Sequence, residues 1–326
     1  MACSPTGAEI ELLIADGEGP HNAAAWQSAV SGGTAHRYKI ISETLTKRKS
    51  WITTIDLTGD RQVRCDDRIP GPSIVVGDIH FRVRAGDMAT LLPRIIGTES
   101  PSGTFETATG DPPYFSCLID RVTQTYNYWG LKANRVIVRG RASALQGDNA
   151  QPIEMIVSVI GKDREKGVAI PSSPAAAFGT GEGFKPYIFE DATLTIDSSN
   201  YVMQDFVLAI DHMLEPEYNG TLYPSDICPI GDKLVRLRTR HPYRSGELPL
   251  TLLSDSGVDG NLKFLFSTNS GSGSVSTDFQ FGCLQLVETD PNATGPGRIP
   301  LFIDLLAGTD GTDPDLRVVN DAVTAT

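Results

Sequence analysis

Residues 74–85 read IVVGDIHFRVRA, with Ile79, Phe81, Val83 and Ala85 on one side of the alternation and His80, Arg82 and Arg84 on the other. A period of two marks a strand with one face on a core and one face in water. Comparable segments recur at 51–57 (WITTIDL), 114–120 (YFSCLID), 135–140 (RVIVRG) and 153–160 (IEMIVSVI). They continue at 192–196, 206–210, 233–240, 263–267, 281–287 and 299–306. With 32 Gly and 21 Pro in 326 residues to supply turns, this predicts a mainly β protein. The stretch 87–96 (DMATLLPRII) switches to a helical pattern, with Met88, Leu91, Leu92 and Ile95 as its apolar face, Asp87 as its cap and Gly97 as its end. Pro93 inside it removes one backbone donor. The basic cluster 46–50 (TKRKS) reads as a solvated loop.

Charge narrows the function classes. Residues 1–167 hold 19 basic and 19 acidic side chains, whereas 168–326 hold 9 and 21, so the second half carries the whole net charge of −12. A protein that grips nucleic acid tightly needs a basic face, which this balance does not suggest. The five cysteines (Cys3, Cys65, Cys117, Cys228, Cys283) are dispersed without a C-x-x-C pair, which argues against a disulfide framework and against zinc. No apolar run reaches the roughly 18 residues of a membrane helix, and the first residues lack a signal-peptide pattern.

Catalytic constellations are missing. There is no G-x-S-x-G, P-loop, H-E-x-x-H or strand-linked Rossmann fingerprint. The segment 179–183 (GTGEG) has no patterned strand before it, so it reads as linker. His21, His36, His80, His212 and His241 are far apart, and the acidic pairs Asp66-Asp67, Glu190-Asp191 and Asp313-x-Asp315 lack a calcium-loop pattern. The expectation is no catalytic residues, no cofactor and no metal.

The two halves can be laid on one another. Gly77-Asp78 opens a strand bearing Arg82 and Arg84, and Gly231-Asp232 opens one bearing Arg236, Arg238 and Arg240. Leu91-Leu92 then matches Leu252-Leu253, YFSCLID matches NLKFLFS, and the step from Val138 to Pro152 matches that from Leu286 to Pro300. A shared order of elements suggests a duplicated unit.

Four stretches, WITTIDLTGD, IVVGDIHFRVRAGDMATLLPRIIG, YFSCLIDRVTQTYNYWGLKANRVIVRG and QPIEMIVSVIGKDREKG, together resemble the tail tube proteins of long-tailed bacteriophages, in their larger class of about three hundred residues. PYIFEDATLTIDSSNYVMQDFVLAID resembles the later part of that class. The resemblance implies two β-sandwich or half-barrel units, each with a short flanking helix, whose inner sheets close into a barrel between subunits. It implies rings of three chains if the unit is duplicated and six otherwise, stacked into a conduit for genome delivery. Partners would be other copies, the tape measure, terminator and baseplate proteins, and passing DNA held without specificity, with no membrane insertion. The location would be the virion tail, after assembly in the host cytoplasm. The chain then divides into an N-terminal arm (1–42), a first domain (43–170), a linker (171–186), a second domain (187–308) and an acidic C-terminal arm (309–326). An acidic lumen would repel DNA phosphates. The alternative is a carbohydrate-binding or adhesin-like sandwich with Tyr126-Asn127-Tyr128-Trp129 as its aromatic site.

Overall fold

The structure is a computed structural model that describes residues 10–19, 22–53, 68–97, 103–106, 111–142, 151–171, 185–242, 257–266, 275–291, 300–309, 311 and 313–320. The first half contains β1 (Glu11–Asp16), α1 (Ala23–Ser31), β2 (Ala35–Tyr38), β3 (Ile40–Glu43), β4 (Thr46–Thr53) and β5 (Arg68–Arg82). It continues with α2 (Ala85–Ile95), β6 (Thr104–Glu106), β7 (Phe115–Asp120), β8 (Thr125–Arg141) and β9 (Glu154–Lys166). The second half contains β10 (Ala192–Ile196), β11 (Ser199–Tyr201), β12 (Asp205–Asp211), β13 (Leu214–Glu217) and β14 (Asp226–Pro229). It ends with β15 (Leu234–Pro242), β16 (Val258–Phe266), β17 (Val275–Pro291), β18 (Pro300–Gly308) and β19 (Arg317–Asn320).

Seventeen of these strands form one branched, hydrogen-bonded sheet, and β13 and β14 pair separately. Its trunk runs β4–β5–β9–β8–β12–β15–β18–β17, with every neighbour antiparallel. The two long strands each change partners along their length. The start of β8 pairs with β7, which leads to β1 and β2, and the end of β8 pairs with β12. The start of β17 pairs with β16, which leads to β10 and β11, and its end pairs with β18. Both strands carry register shifts, at Ala133/Arg135 and Leu286/Glu288, and such bulges bend a strand so that it can pass from one layer to another.

Alternation decides the burial. In β12, Phe206, Leu208 and Ile210 are buried and Asp205, Ala209 and Asp211 are not. One apolar cluster takes in residues from both halves, including Phe115, Tyr128, Leu131, Phe206, Phe264 and Phe279. Met88, Leu91, Leu92 and Ile95 of α2 join it, as their helical spacing predicts. Residues from both expected domains thus share one core, and the β8–β12 ladder joins them directly. Of the expected linker, 172–184 lie outside the described residues.

Several expectations need correction. Within the expected arm, 1–42, the described residues include β1 paired between β2 and β7, and Leu12, Ile14 and Trp26 are buried. The Ala/Ser composition of α1 gives little periodicity, so no local pattern marks this helix; Asn22 caps it by accepting from the Ala25 N–H at 2.8 Å. In the expected acidic arm, Arg317–Asn320 pairs with β17 and β6, because Leu316 and Val318 supply buried side chains. The TKRKS cluster is strand β4 rather than loop. Asp87 lies in the first turn of α2, ion-paired with the capping residue Arg84 at 3.0 Å, instead of capping it. Among the described residues the trunk is an open sheet, and no barrel closes within the chain.

Gly77 shows how tightly the link between β3 and β4 approaches β5. Its φ is +155°, and a Cβ there would lie 2.7 Å from Leu45 Cα and from the Thr44 carbonyl oxygen, both backbone. Gly77→Ala is expected to cost about 2 kcal/mol, read as a lower urea midpoint of the unassembled chain at unchanged m-value.

Candidate assembly surface

The trunk has one face on the core and one face open, and the open face is a ladder of arginines and carboxylates. Cross-strand register runs Arg82–Glu154–Arg139–Val207–Arg238–Asp304, with Arg141–Asp205–Arg240–Phe302 beside it. Arg139 donates to Glu154 through Nε at 3.0 Å and Nη2 at 2.7 Å. Arg236 and Arg238 both reach Asp304, the latter at 2.9 Å. Burial would push the Asp304 carboxyl up, but these two guanidiniums outweigh it and hold it below the usual carboxylate range. Arg240 lies 5.6 Å above the Phe302 ring.

On β5, β9, β8, β12, β15 and β18 this face presents Arg82, Arg135, Arg139, Arg141, Arg236, Arg238 and Arg240 against Asp78, Glu154, Asp205, Asp211 and Asp304. On these six strands the second half contributes three arginines and three carboxylates, so its acidic excess does not lie on them. Its carboxylates stand at other positions, such as Asp197, Glu215, Asp232 and Asp259, which a count by chain half cannot distinguish.

At the two ends of the trunk stand open edges. Beside β5, strands β3 and β4 have no further neighbour among the described residues. Past Leu284, β17 pairs with β18 on one side, and no described strand lies on the other. The edge at β4 is built with care. Glu43 accepts two hydrogen bonds from Arg121, at 2.7 and 2.9 Å, and one from the Leu45 N–H at 2.9 Å, while Tyr128 Oη donates to the Leu45 carbonyl at 2.9 Å. Further along, the β4–β5 hairpin exposes Trp51, Ile52 and Ile69, each more than half accessible.

The β13–β14 hairpin of the second half locks onto the first half beside this surface. Lys132 Nζ donates to the Ile227 carbonyl at 2.6 Å and Lys162 Nζ to the Ser225 carbonyl at 2.7 Å. Both ammonium groups flank the Tyr114 ring, at 4.5 and 4.7 Å, and pair with Asp111 and Glu18. No sequence signal pointed to these lysines, because the contact joins residues about ninety and sixty positions apart.

The aromatic run proposed for a glycan site does not gather at the surface. Tyr128 is fully buried, Asn127 accepts from Trp26 Nε1 at 3.2 Å inside the protein, and Trp129 stands edge-on to Tyr223 at 5.6 Å. Tyr126 is ringed by Arg121, Arg164 and Lys166 instead of offering a free face. His212 and His241 are buried, bonded to the Ile95 carbonyl and to the Val202 carbonyl and Thr239 respectively. Among the described residues no cluster of His, Cys, Asp or Glu could hold a metal, and no helix is long and apolar enough to cross a membrane.

Among the described residues, a long open sheet with two unpaired edges and a salt-bridged open face, with His212 and His241 buried in the core, fits a structural β protein. Consistent with this class, the family profile described as phage tail tube protein matches residues 7–305. The chain belongs to that family and is a structural component of the virion tail. A search of curated proteins finds no match.

Proposed function

We propose that the chain assembles edge to edge into rings, and that the rings stack into the tube through which the phage genome reaches the host cell. The observation that carries this reading is the pair of open edges at opposite ends of one continuous trunk. An uncovered edge invites uncontrolled pairing, and closing a ring covers every edge at once.

We also read the chain as two copies of one unit. Support comes from pairing, strand by strand. The segment Val75–Arg82 pairs over eight residues with Glu154–Gly161, and Val235–Pro242 pairs over eight with Pro300–Ala307. The β7–β8 ladder skips from Phe115/Leu131 to Cys117/Tyr128, and the β16–β17 ladder makes the same skip from Val258/Leu284 to Gly260/Phe281. Matching Leu131 to Leu284 then also matches the second bulge of β8, at Arg135, to that of β17, at Glu288. Each unit adds four strand positions to the trunk. Three chains would close a barrel about 50 Å across its backbone, at about 4.8 Å per strand and a tilt of about 40°, whereas six chains would double it.

The arginine–carboxylate face would line the lumen. Guanidiniums already paired with carboxylates have little charge left for phosphates, so DNA would slide without being gripped. The lumen on this reading is near neutral, not acidic. Tape measure, terminator and baseplate proteins would meet the ends of the stack. Assembly would take place in the host cytoplasm, with which the free thiols of Cys117, Cys228 and Cys283 agree.

Negative-stain microscopy with light scattering of the purified particles tests the reading. The expected result is rings or tubes whose unit mass is three times that of the 35.1 kDa chain. Monodisperse monomer at every concentration would end it.

A further inference from the structure

The internal joint between the two halves supplies a template for the joint between chains, and its register can be carried over residue by residue. We propose that β4 of one chain pairs antiparallel with the open edge of β17 in a second copy, with Arg48 opposite Glu288 and Thr46 opposite Asp290. The proposal rests on the edge-to-edge ring and the duplication argued above, and it adds which residues meet.

The derivation uses only pairings within the chain. In the internal joint, β8 meets β12 with Arg135 opposite Asp211 and Ile137 opposite Ala209. The coincident bulges match Arg135 to Glu288 and therefore Ile137 to Asp290. On the other strand, Ser42 lies opposite His80 and Thr46 opposite Val76 on β5, while Asp205 lies opposite Arg240 and Ala209 opposite Arg236 on β15. Because Val75 matches Val235, His80 matches Arg240; Thr46 then matches Ala209 and Arg48 matches Asp211. Substituting both partners turns the internal Arg135–Asp211 pair into Glu288–Arg48 between chains. The charges exchange sides and stay complementary.

Chemistry at the two edges agrees with this occupant. Residues 46–49 read Thr-Lys-Arg-Lys, and residues 288–290 read Glu-Thr-Asp. Opposite charges directly across an antiparallel pair stabilise it, and like charges there oppose it. A strand carrying three consecutive basic residues on an open edge resists pairing with another copy of itself, which is a standard protection of edges. It accepts an acidic strand. The edge of β17 is acidic where β4 is basic, so a ring closes head to tail and a two-fold β4–β4 contact is disfavoured.

The test uses the full-length chain carrying both Arg48→Cys and Glu288→Cys, assembled and then oxidised. Non-reducing electrophoresis should show crosslinked multimers of the chain. Arg135→Cys with Asp211→Cys is the positive control: it has the same register inside one chain and should crosslink without raising the mass. Lys47→Cys with Glu288→Cys, one position out, should not link. Separately, Arg48→Glu and Glu288→Arg should each raise the concentration needed for assembly several-fold, and the two together should restore it. Rings that form without the Arg48–Glu288 crosslink, or charge reversals without effect on assembly, would overturn the register and leave the ring reading standing. Absence of rings from the unmodified chain would remove both.

Discussion

Phe206→Ala is expected to destabilise the unassembled chain by about 3–5 kcal/mol, the range for emptying a buried aromatic site. Phe206 is fully buried on β12, the strand that carries the ladder between the two halves. Its ring lies 5.6 Å from that of Phe264 and 6.1 Å from that of Phe189. Directly opposite is Gly140, where a Cβ would come within 2.6 Å of the Phe206 ring. On that side the ring rests on bare backbone, which offers no side chain to fill the space. The neighbouring Val207 points to the open face and is 37% exposed. Val207→Ala should change stability by only about 0.5 kcal/mol. Urea unfolding of both variants reads the contrast; equal losses would mean that β12 does not bury alternate residues as described.

Removing the Glu43 carboxylate is the second large effect. Its side chain is 4% exposed and Arg121 is 30% exposed, so the pair sits at the boundary of the core beneath the β3–β4 edge. Glu43→Ala leaves the Leu45 N–H without its acceptor and the Arg121 guanidinium without its carboxylate. The expected loss is about 2–3 kcal/mol, held below the range for a fully buried pair because water still reaches Arg121. Glu43→Gln retains one acceptor oxygen and should cost roughly half as much. The assembly readout separates this from a plain packing defect. Leu45 lies between Glu43 and Thr46 on the edge proposed to meet the next chain, so ring yield should fall further than the stability loss alone predicts.

Much of the fold is legible because burial leaves a period. The alternation of β5, the apolar side of α2 and the Phe115–Asp120 segment all follow from which residues must leave water. The elements that were missed had their pattern masked. In β4, consecutive Lys47, Arg48 and Lys49 hide the alternation, although Thr46–Lys49 pairs with Ser73–Val76. In β19 one short Leu-x-Val alternation sits inside an acidic stretch. In α1, Trp26 and Val30 are buried among alanines and serines that carry no moment.

The proposed duplication was visible as an order of elements, and its register was not. The order of elements along the sequence sets Gly77 against Gly231, whereas under the proposed duplication the ladders set Val75 against Val235 and so Gly77 against Leu237. That slip is an even number of residues, and an even slip leaves every in–out alternation unchanged. If the duplication holds, the ladders and their bulges distinguish the two registers, which local pattern does not.

By itself, then, the sequence determined the strand-rich class and the tail-tube resemblance, because both depend on local hydrophobic period and on element order. Tertiary structure decided which strands pair within the chain, which edges stay open among the described residues, that both halves share one core through β8 and β12, and that the open face is salt-bridged and not acidic. Those properties depend on contacts between residues far apart in the chain, which local pattern does not encode.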